Sequence, residues 1–296
     1  MIFFMRWIFV VLFLVTVAVC PVYAYSDWNP LIKRLVADHF DEKTIQALFS
    51  QPNVRFDPDV MSSKLKEVIN NRSAKTGTTP VGKTKAVYDG FLKPAKIDSA
   101  RSYTRANMPT LKEIEKKYCV QPEIIVAILL VETDLEGFLG RKNAFNTLAS
   151  MALSTNLETI RPYLSPDLIT RDNEYFAETI CRKKSKWAYS ELKALISYAS
   201  ERGINPLSIP GSIYGAIGIC QFMPSKIPVY GIDADKDGHI DVFSRQDALY
   251  SVANYLRRNG WKCNMTSARK HKMIMAYNHS NTYANTILKV AEKIRQ

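Results

Sequence analysis

A chain of 296 residues, 47% hydrophobic and 23% charged, has an ordinary globular composition and ample length for a large core. That excludes a disordered or fibrous chain and leaves room for one elaborate domain or two smaller ones. A net charge of +12 suits a polyanionic partner such as cell wall, nucleic acid or a lipid surface, and charge alone does not choose among them.

The chain opens with Arg6, the apolar run WIFVVLFLVTVAVC from Trp7 to Cys20, and the small-residue end Val22-Tyr23-Ala24. This order reads as a secretory signal over residues 1–24. An uncleaved anchor is the alternative, but the apolar run is short for a span. Cys20 also raises lipid attachment, although Val19 is bulkier than the small residue expected before a lipidated cysteine. Cleavage after Ala24 removes a single base and no acid, so the mature chain stays strongly basic.

Helical spacing follows from Asn29 to Phe49, with Asp41 placed to cap a second helix. NRSAKTGTT, Asn71 to Thr79, ends at Pro80 and reads as a linker or exposed loop. Helical patterning resumes over Ala100 to Tyr118, and Pro122 starts a strong helix through Val131. Trp187 to Arg202 is the next predicted helix, stopped by Gly203. A glycine-bearing loop, GSIYGAIGICQFMPS, spans Gly211 to Ser225, and helices are predicted over Gln246 to Asn259 and Thr282 to Ile294. No run of alternating strands is present, so the predicted fold is mainly α. Beyond the leader, Cys119, Cys181, Cys220 and Cys263 allow two disulfides in three connectivities, or separate buried thiols. None has C-x-x-C spacing, so a zinc site is not expected.

AILLVETDLEG, Ala127 to Gly137, runs from an apolar stretch directly into acids. Ile125, Ile128, Leu129 and Glu132 fall at i, i+3, i+4 and i+7, which places Glu132 on the apolar stripe. Desolvation there pushes a carboxyl's pKa upward, as a general acid near neutral pH requires. Taken alone, the segment favours an ordinary helix-end acid, in water or paired with a base such as Arg141. In the second constellation, Gly211, Gly215 and Gly218 permit close backbone approach around Ser212 and Gln221. By itself that loop reads equally as a helix-packing element.

Glu132 in VET, the loop GxxxGAxGxxQFMPS, then DxDxDGHI, SVANYL and YNHSxxYA, occur in one order along the chain. Together they resemble the membrane-bound lytic murein transglycosylase B family, over nearly the whole mature length. The resemblance implies an α+β lysozyme-like, mainly α fold: an amino-terminal helical region over 25–115 and a catalytic core over 116–296. It also implies that a single glutamate, matched by Glu132, protonates the glycosidic oxygen between N-acetylmuramic acid and N-acetylglucosamine. The same group then acts as base while the muramyl C6 hydroxyl closes a 1,6-anhydro ring. A second carboxylate is not required, so Asp134 and Glu136 are expected to be surface or loop acids. Ser212, Gln221 and Asn278 match residues contacting the sugar chain, Asn278 by polarising the acetamido group. Tyr255, Tyr277 and Tyr283 match aromatic groups of the cleft, able to stack on sugars or to donate a hydroxyl to the acid. For Tyr277, plain core packing is an equal reading, and His279 is expected to be structural. Two departures stand out: Glu136 occupies a position where the family commonly has glycine, and Leu153 to Lys186 is longer than its usual equivalent.

Asp233, Asp235 and Asp237 occupy positions one, three and five of an EF-hand-like loop over 233–247, with Gly238 at six. Hard oxygen ligands at this spacing suit Ca²⁺ (or Na⁺) in a stiffening role, with His239 contributing its backbone carbonyl. Position twelve is Ser244, so Asp247 is expected to close a lengthened loop, as in the resembled family. A metal-free Asx-rich turn is the alternative. No cofactor is expected for the chemistry. The expected partner is the glycan strand of peptidoglycan, with no nucleic acid. The chain is expected to be an exported periplasmic monomer, held to a membrane only through a lipid or an uncleaved anchor. The competing functions are a non-catalytic wall-binding or morphogenetic scaffold and a Ca²⁺-responsive regulator.

Overall fold

The computed structural model describes residues 27–75 and 86–296, so the expected leader over 1–24 lies outside the described residues. Among the described residues no helix is long and apolar enough to cross a membrane. Helices α1 (Asn29–Ala37) and α2 (Glu42–Phe49) form a hairpin around Leu31, Leu35, Ile45 and Phe49. Asp41 is the predicted cap: its Oδ1 accepts from the Thr44 backbone N–H at 2.8 Å and from the Thr44 hydroxyl at 2.6 Å.

Helix α3 (Pro58–Lys75) continues through residues 71–75, where the turn-rich composition predicts a loop; residues 76–79 lie outside the described part. Its apolar residues Val60, Met61, Leu65 and Ile69 are buried, and Arg72, lying 4.3 Å from the Phe176 ring centre, extends the packing beyond them. The helix predicted over 100–118 is two, α4 (Pro94–Ala106) and α5 (Met108–Tyr118). Pro109 can supply no N–H to a continuous helix. The chain breaks at Asn107, whose side-chain amide donates to the Tyr103 carbonyl at 2.8 Å.

Helix α6 (Pro122–Thr133) is the centre of the molecule. Residues Ile124 through Leu130 are all buried, and α4, α5, α10 (Arg245–Arg258) and α12 (Asn281–Arg295) pack around it. A helix apolar on every side belongs in a core, so its stripe alone did not mark the working face. Helix α7 (Ala144–Leu153) packs along α8 (Glu174–Glu201), which begins at Glu174 rather than Trp187. Small buried residues, Ala177, Cys181, Ser185, Ala188 and Ala199, line this long helix and let its neighbours approach closely.

Strand β1 (Lys142–Asn143) pairs antiparallel with β2 (Pro210–Gly211), the only sheet among the described residues. A short helix, α9 (Ile227–Tyr230), leads into the acidic loop, and α11 (Ser267–Tyr277) precedes α12. Cys119 and Cys263 form a disulfide across 144 residues, while Cys181 and Cys220 are free and buried. The two-disulfide reading is therefore corrected to one bridge, worth about 5 kcal/mol by loop-closure entropy. Burial pushes both remaining thiols up to about 12, so each behaves as a small core residue.

Candidate active site

Glu132 lies in the last turn of α6, half-buried, where the core helix meets the surface. Buried groups wall its carboxyl, and this desolvation pushes its pKa up to about 7; the Tyr283 hydrogen bond opposes part of the shift. The Tyr283 hydroxyl donates to Glu132 Oε1 at 2.6 Å from the first turn of α12. Ser280 caps that helix through the Tyr283 N–H at 3.2 Å, which sets the ring's position. Burial and the adjacent carboxyl hold the Tyr283 pKa well above its ordinary value, so it stays a donor. Arg141 does not pair with Glu132; its guanidinium lies 5.6 Å from the Phe138 ring centre. The Arg141 form of the helix-end ion pair is thereby removed.

The glycine-bearing loop is tied directly to this helix end. Thr133, next to the acid, donates through Oγ1 to the Ile219 carbonyl at 3.1 Å. Gly218, at φ +75°, lets the loop press onto the end of the acidic loop, where a Cβ would stand 2.5 Å from the Val242 carbonyl oxygen. Gly140, at φ +108°, does the same on the other side, where a Cβ would lie 2.1 Å from the Gly211 oxygen. Gln221 has φ +48°, and its amide donates to the Gly218 carbonyl at 2.8 Å. Ser212 Oγ accepts from the Ala216 N–H at 3.0 Å, so this residue also builds the turn it stands on. At the loop's end the buried Glu191 of α8 accepts from the Ser225 N–H at 2.9 Å and hydroxyl at 2.8 Å.

Tyr255 and Tyr277 reach the same region but spend their hydroxyls on backbone. Tyr277 donates to the Cys220 carbonyl and Tyr255 to the Ala276 carbonyl, both at 2.5 Å. Their rings lie 4.8 Å apart and both contact Phe222, so they form a wall that holds the loop against α10 and α11. The hydroxyl on the acid belongs to Tyr283 alone of the three. Asn278 and His279 are exposed at the junction of α11 and α12.

The acids after Glu132 differ from each other. Asp134 is exposed and paired with Lys96 at 2.6 Å. Glu136 is not a free loop acid: it accepts from Tyr103 at 2.5 Å and from Arg245 at 2.6 and 3.0 Å. Thr133, Tyr103, Glu191 and Arg245 were not singled out from the sequence. Only Glu191 carried a readable signal, an acid on the predicted Trp187–Arg202 helix between buried Ala188 and Leu192.

In the acidic loop, one oxygen each of Asp233, Asp235 and Asp237 lies within 4.8 Å of the others. Asp233 Oδ2 accepts from the Gly238 N–H at 3.0 Å, while its Oδ1 is buried without a partner. A hard cation fits that orphaned oxygen and its two neighbours. Asp247 stands outside this trio; its buried carboxylate staples the loop by accepting from the Ala234 N–H at 2.9 Å and the Asp241 N–H at 2.7 Å. The His239 side chain is exposed. A separate cleft of about 360 Å³, lined by Leu31, Arg34, Phe56 and Tyr163 among others, includes none of these site residues.

A helical body with one half-buried glutamate, a tyrosine on its oxygen and a glycine-bearing loop locked to the same helix is a lysozyme-like arrangement. Residues 24–270 match the family model described as the transglycosylase SLT domain, and the chain belongs to that family. It is 27% identical over 235 residues to membrane-bound lytic murein transglycosylase B of Escherichia coli K12. That alignment takes in 78% of this chain and 56% of the relative, so the chain spans little more than half the relative's length. Among solved structures, the Escherichia coli lytic transglycosylase Slt35 in complex with calcium matches with a TM-score of 0.67 at 19% identity, over 90% of this chain and 92% of that one. SltB3 from Pseudomonas aeruginosa in complex with NAG-anhNAM-pentapeptide matches with a TM-score of 0.67 at 19% identity, over 90% of this chain and 78% of that one.

Proposed function

We propose that this protein is a lytic transglycosylase that cleaves the bond between N-acetylmuramic acid and N-acetylglucosamine in peptidoglycan. The carrying observation is a carboxyl with pKa about 7, hydrogen-bonded by Tyr283 and, among the described residues, by no base. Near neutral pH a large fraction of Glu132 holds its proton. It passes that proton to the glycosidic oxygen as the C1–O bond breaks, and the N-acetylglucosamine unit leaves with a free hydroxyl. The Glu132 carboxylate then takes the proton of the muramyl C6 hydroxyl while O6 bonds to C1. The ring closes without water, and the acid is regenerated. The nucleophile belongs to the substrate, which fits a site with one carboxyl rather than two.

Asn278, exposed at the junction of α11 and α12, is the residue to polarise the acetamido group, and Ser212 and Gln221 are the residues to line the glycan path. Tyr255 and Tyr277 support their loop, and the basic charge favours an anionic polymer. The calcium complex of the Slt35 relative supports calcium at Asp233, Asp235 and Asp237, with Asp247 closing the loop from behind. Bound there, the ion would stiffen the loop and carry no chemical step. Residues 1–24 fit a secretory leader, which with the membrane-bound relative supports a periplasmic, membrane-associated protein.

Digestion of purified peptidoglycan followed by mass spectrometry tests this reading. The expected products carry 1,6-anhydromuramyl ends, and Glu132→Gln yields none. Reducing-end products alone would make it a muramidase, and wall binding without turnover would make it a scaffold.

A further inference from the structure

The three residues Asp134, Leu135 and Glu136 that close the turn behind Glu132 all have left-handed backbones, at φ +52°, +58° and +76°. For residues with a Cβ this conformation brings the side chain against the following carbonyl, and such a run persists only when its surroundings over-determine it. Asp134 is held by one exposed lysine. The stronger grip is on Glu136, whose side chain is 22% exposed and meets both the Arg245 guanidinium and the Tyr103 hydroxyl. Arg245 is the first residue of α10 and lies 5.5 Å from the Tyr103 ring centre, so α4, α10 and the turn meet at one carboxylate.

What this turn fixes is the exit of α6. The Glu136 N–H reaches Thr133 Oγ1 at 3.3 Å, and the Phe138 N–H reaches the Thr133 carbonyl at 2.9 Å. Thr133 in turn holds Ile219 of the glycine-bearing loop. A glycine adopts this backbone unaided, whereas a glutamate needs an external hold.

We propose that Glu136 is a positioning residue, whose carboxylate, gripped by Arg245 and Tyr103, locks the left-handed turn and so aims the Glu132 carboxyl at the scissile oxygen. The inference rests on the lytic transglycosylase reading. It is tested in the full chain with Glu136→Gln, Glu136→Ala and Glu136→Gly, by melting temperature, kcat and KM for anhydromuropeptide release, and the Glu132 pKa by carboxyl-carbon NMR.

Glu136→Gln keeps an acceptor oxygen without the charge and is expected to retain a near-native kcat and Glu132 pKa. Glu136→Ala keeps the strained backbone without the grip, and both melting temperature and kcat are expected to fall. Glu136→Gly relaxes the backbone, so its melting temperature returns toward the wild-type value. Its kcat nevertheless stays about ten-fold or more below wild type at similar KM, since small misplacements of an acid are costly. Its Glu132 pKa falls toward the ordinary carboxylate range as water enters the loosened turn. A glycine variant with native kcat and native Glu132 pKa would overturn the proposal, as would pKa changes shared equally by the glutamine and glycine variants. An inactive wild-type enzyme would sink the functional reading instead, and the NMR comparison would still decide whether Glu136 positions Glu132.

Discussion

Two of the regions in which this protein buries a carboxyl treat it in opposite ways. At the end of α6, Glu132 receives one hydrogen bond from a neutral tyrosine hydroxyl, and burial dominates. In the acidic loop, Asp247 is more deeply buried as a residue, yet two backbone N–H groups meet its two oxygens. Burial and the nearby Asp235 and Asp233 raise its pKa as well, and the backbone donors offset only part of that rise. The same group therefore serves as a proton store in one place and a staple in the other. The number of donors, more than the depth of burial, decides which.

The sharpest way to break this contrast is to remove the stored proton. Glu132→Gln is expected to reduce the release of anhydromuropeptides by about 10³-fold or more, read from a digestion time course. In the other region, Asp247→Ala leaves two backbone donors without their charged acceptor. A loss of about 3 kcal/mol is expected, seen as a lowered midpoint in denaturant unfolding. Adding calcium at about a hundred-fold excess over its Kd is expected to stabilise the wild type by about 2.7 kcal/mol, and to have little effect on Asp235→Asn with Asp237→Asn.

A smaller effect has the opposite sign. Because the folded-state pKa of Glu132 lies above its unfolded value, the folded protein binds the proton more tightly, and stability falls as pH rises through about 4.5 to 7. Glu132→Gln removes that penalty. It should be more stable than wild type at pH 8 by about 2 kcal/mol, allowing for solvent at the carboxyl's opening, and no more stable at pH 4. Thermal unfolding at the two pH values checks the sign. Last, Tyr283→Phe removes the donor that lowers the Glu132 pKa. The alkaline limb of the kcat/KM profile, where the acid loses its proton, should move upward by about one pH unit.

Much of the fold was legible because local chemistry announces it. Pro122 opens α6, Asp41 caps α2, and apolar spacing marks α10 and α12. The errors came where a local break went unread or where tertiary packing overrode composition. Asn107 breaks a single predicted helix in two, and residues 71–75 stay helical where their polar sequence suggested a loop. Helix α8 begins early because its small residues pack along α7, a partner that helical period alone cannot reveal.

The site divides in the same way. Sequence by itself determined that an acid ends an apolar helix, that a glycine-bearing loop carries Gln221, and that aspartates alternate over 233–237, since all three are local patterns. Only the tertiary structure decided that Tyr283, from 151 positions further on, supplies the hydrogen bond to that acid. It also paired Cys119 with Cys263, turned Tyr277 toward a backbone carbonyl, and made Glu136 the meeting point of α4 and α10. The physical reason is range: backbone preference and side-chain period act over a few residues. A carboxyl's charge state depends on every group that folding brings to within a few ångströms of it.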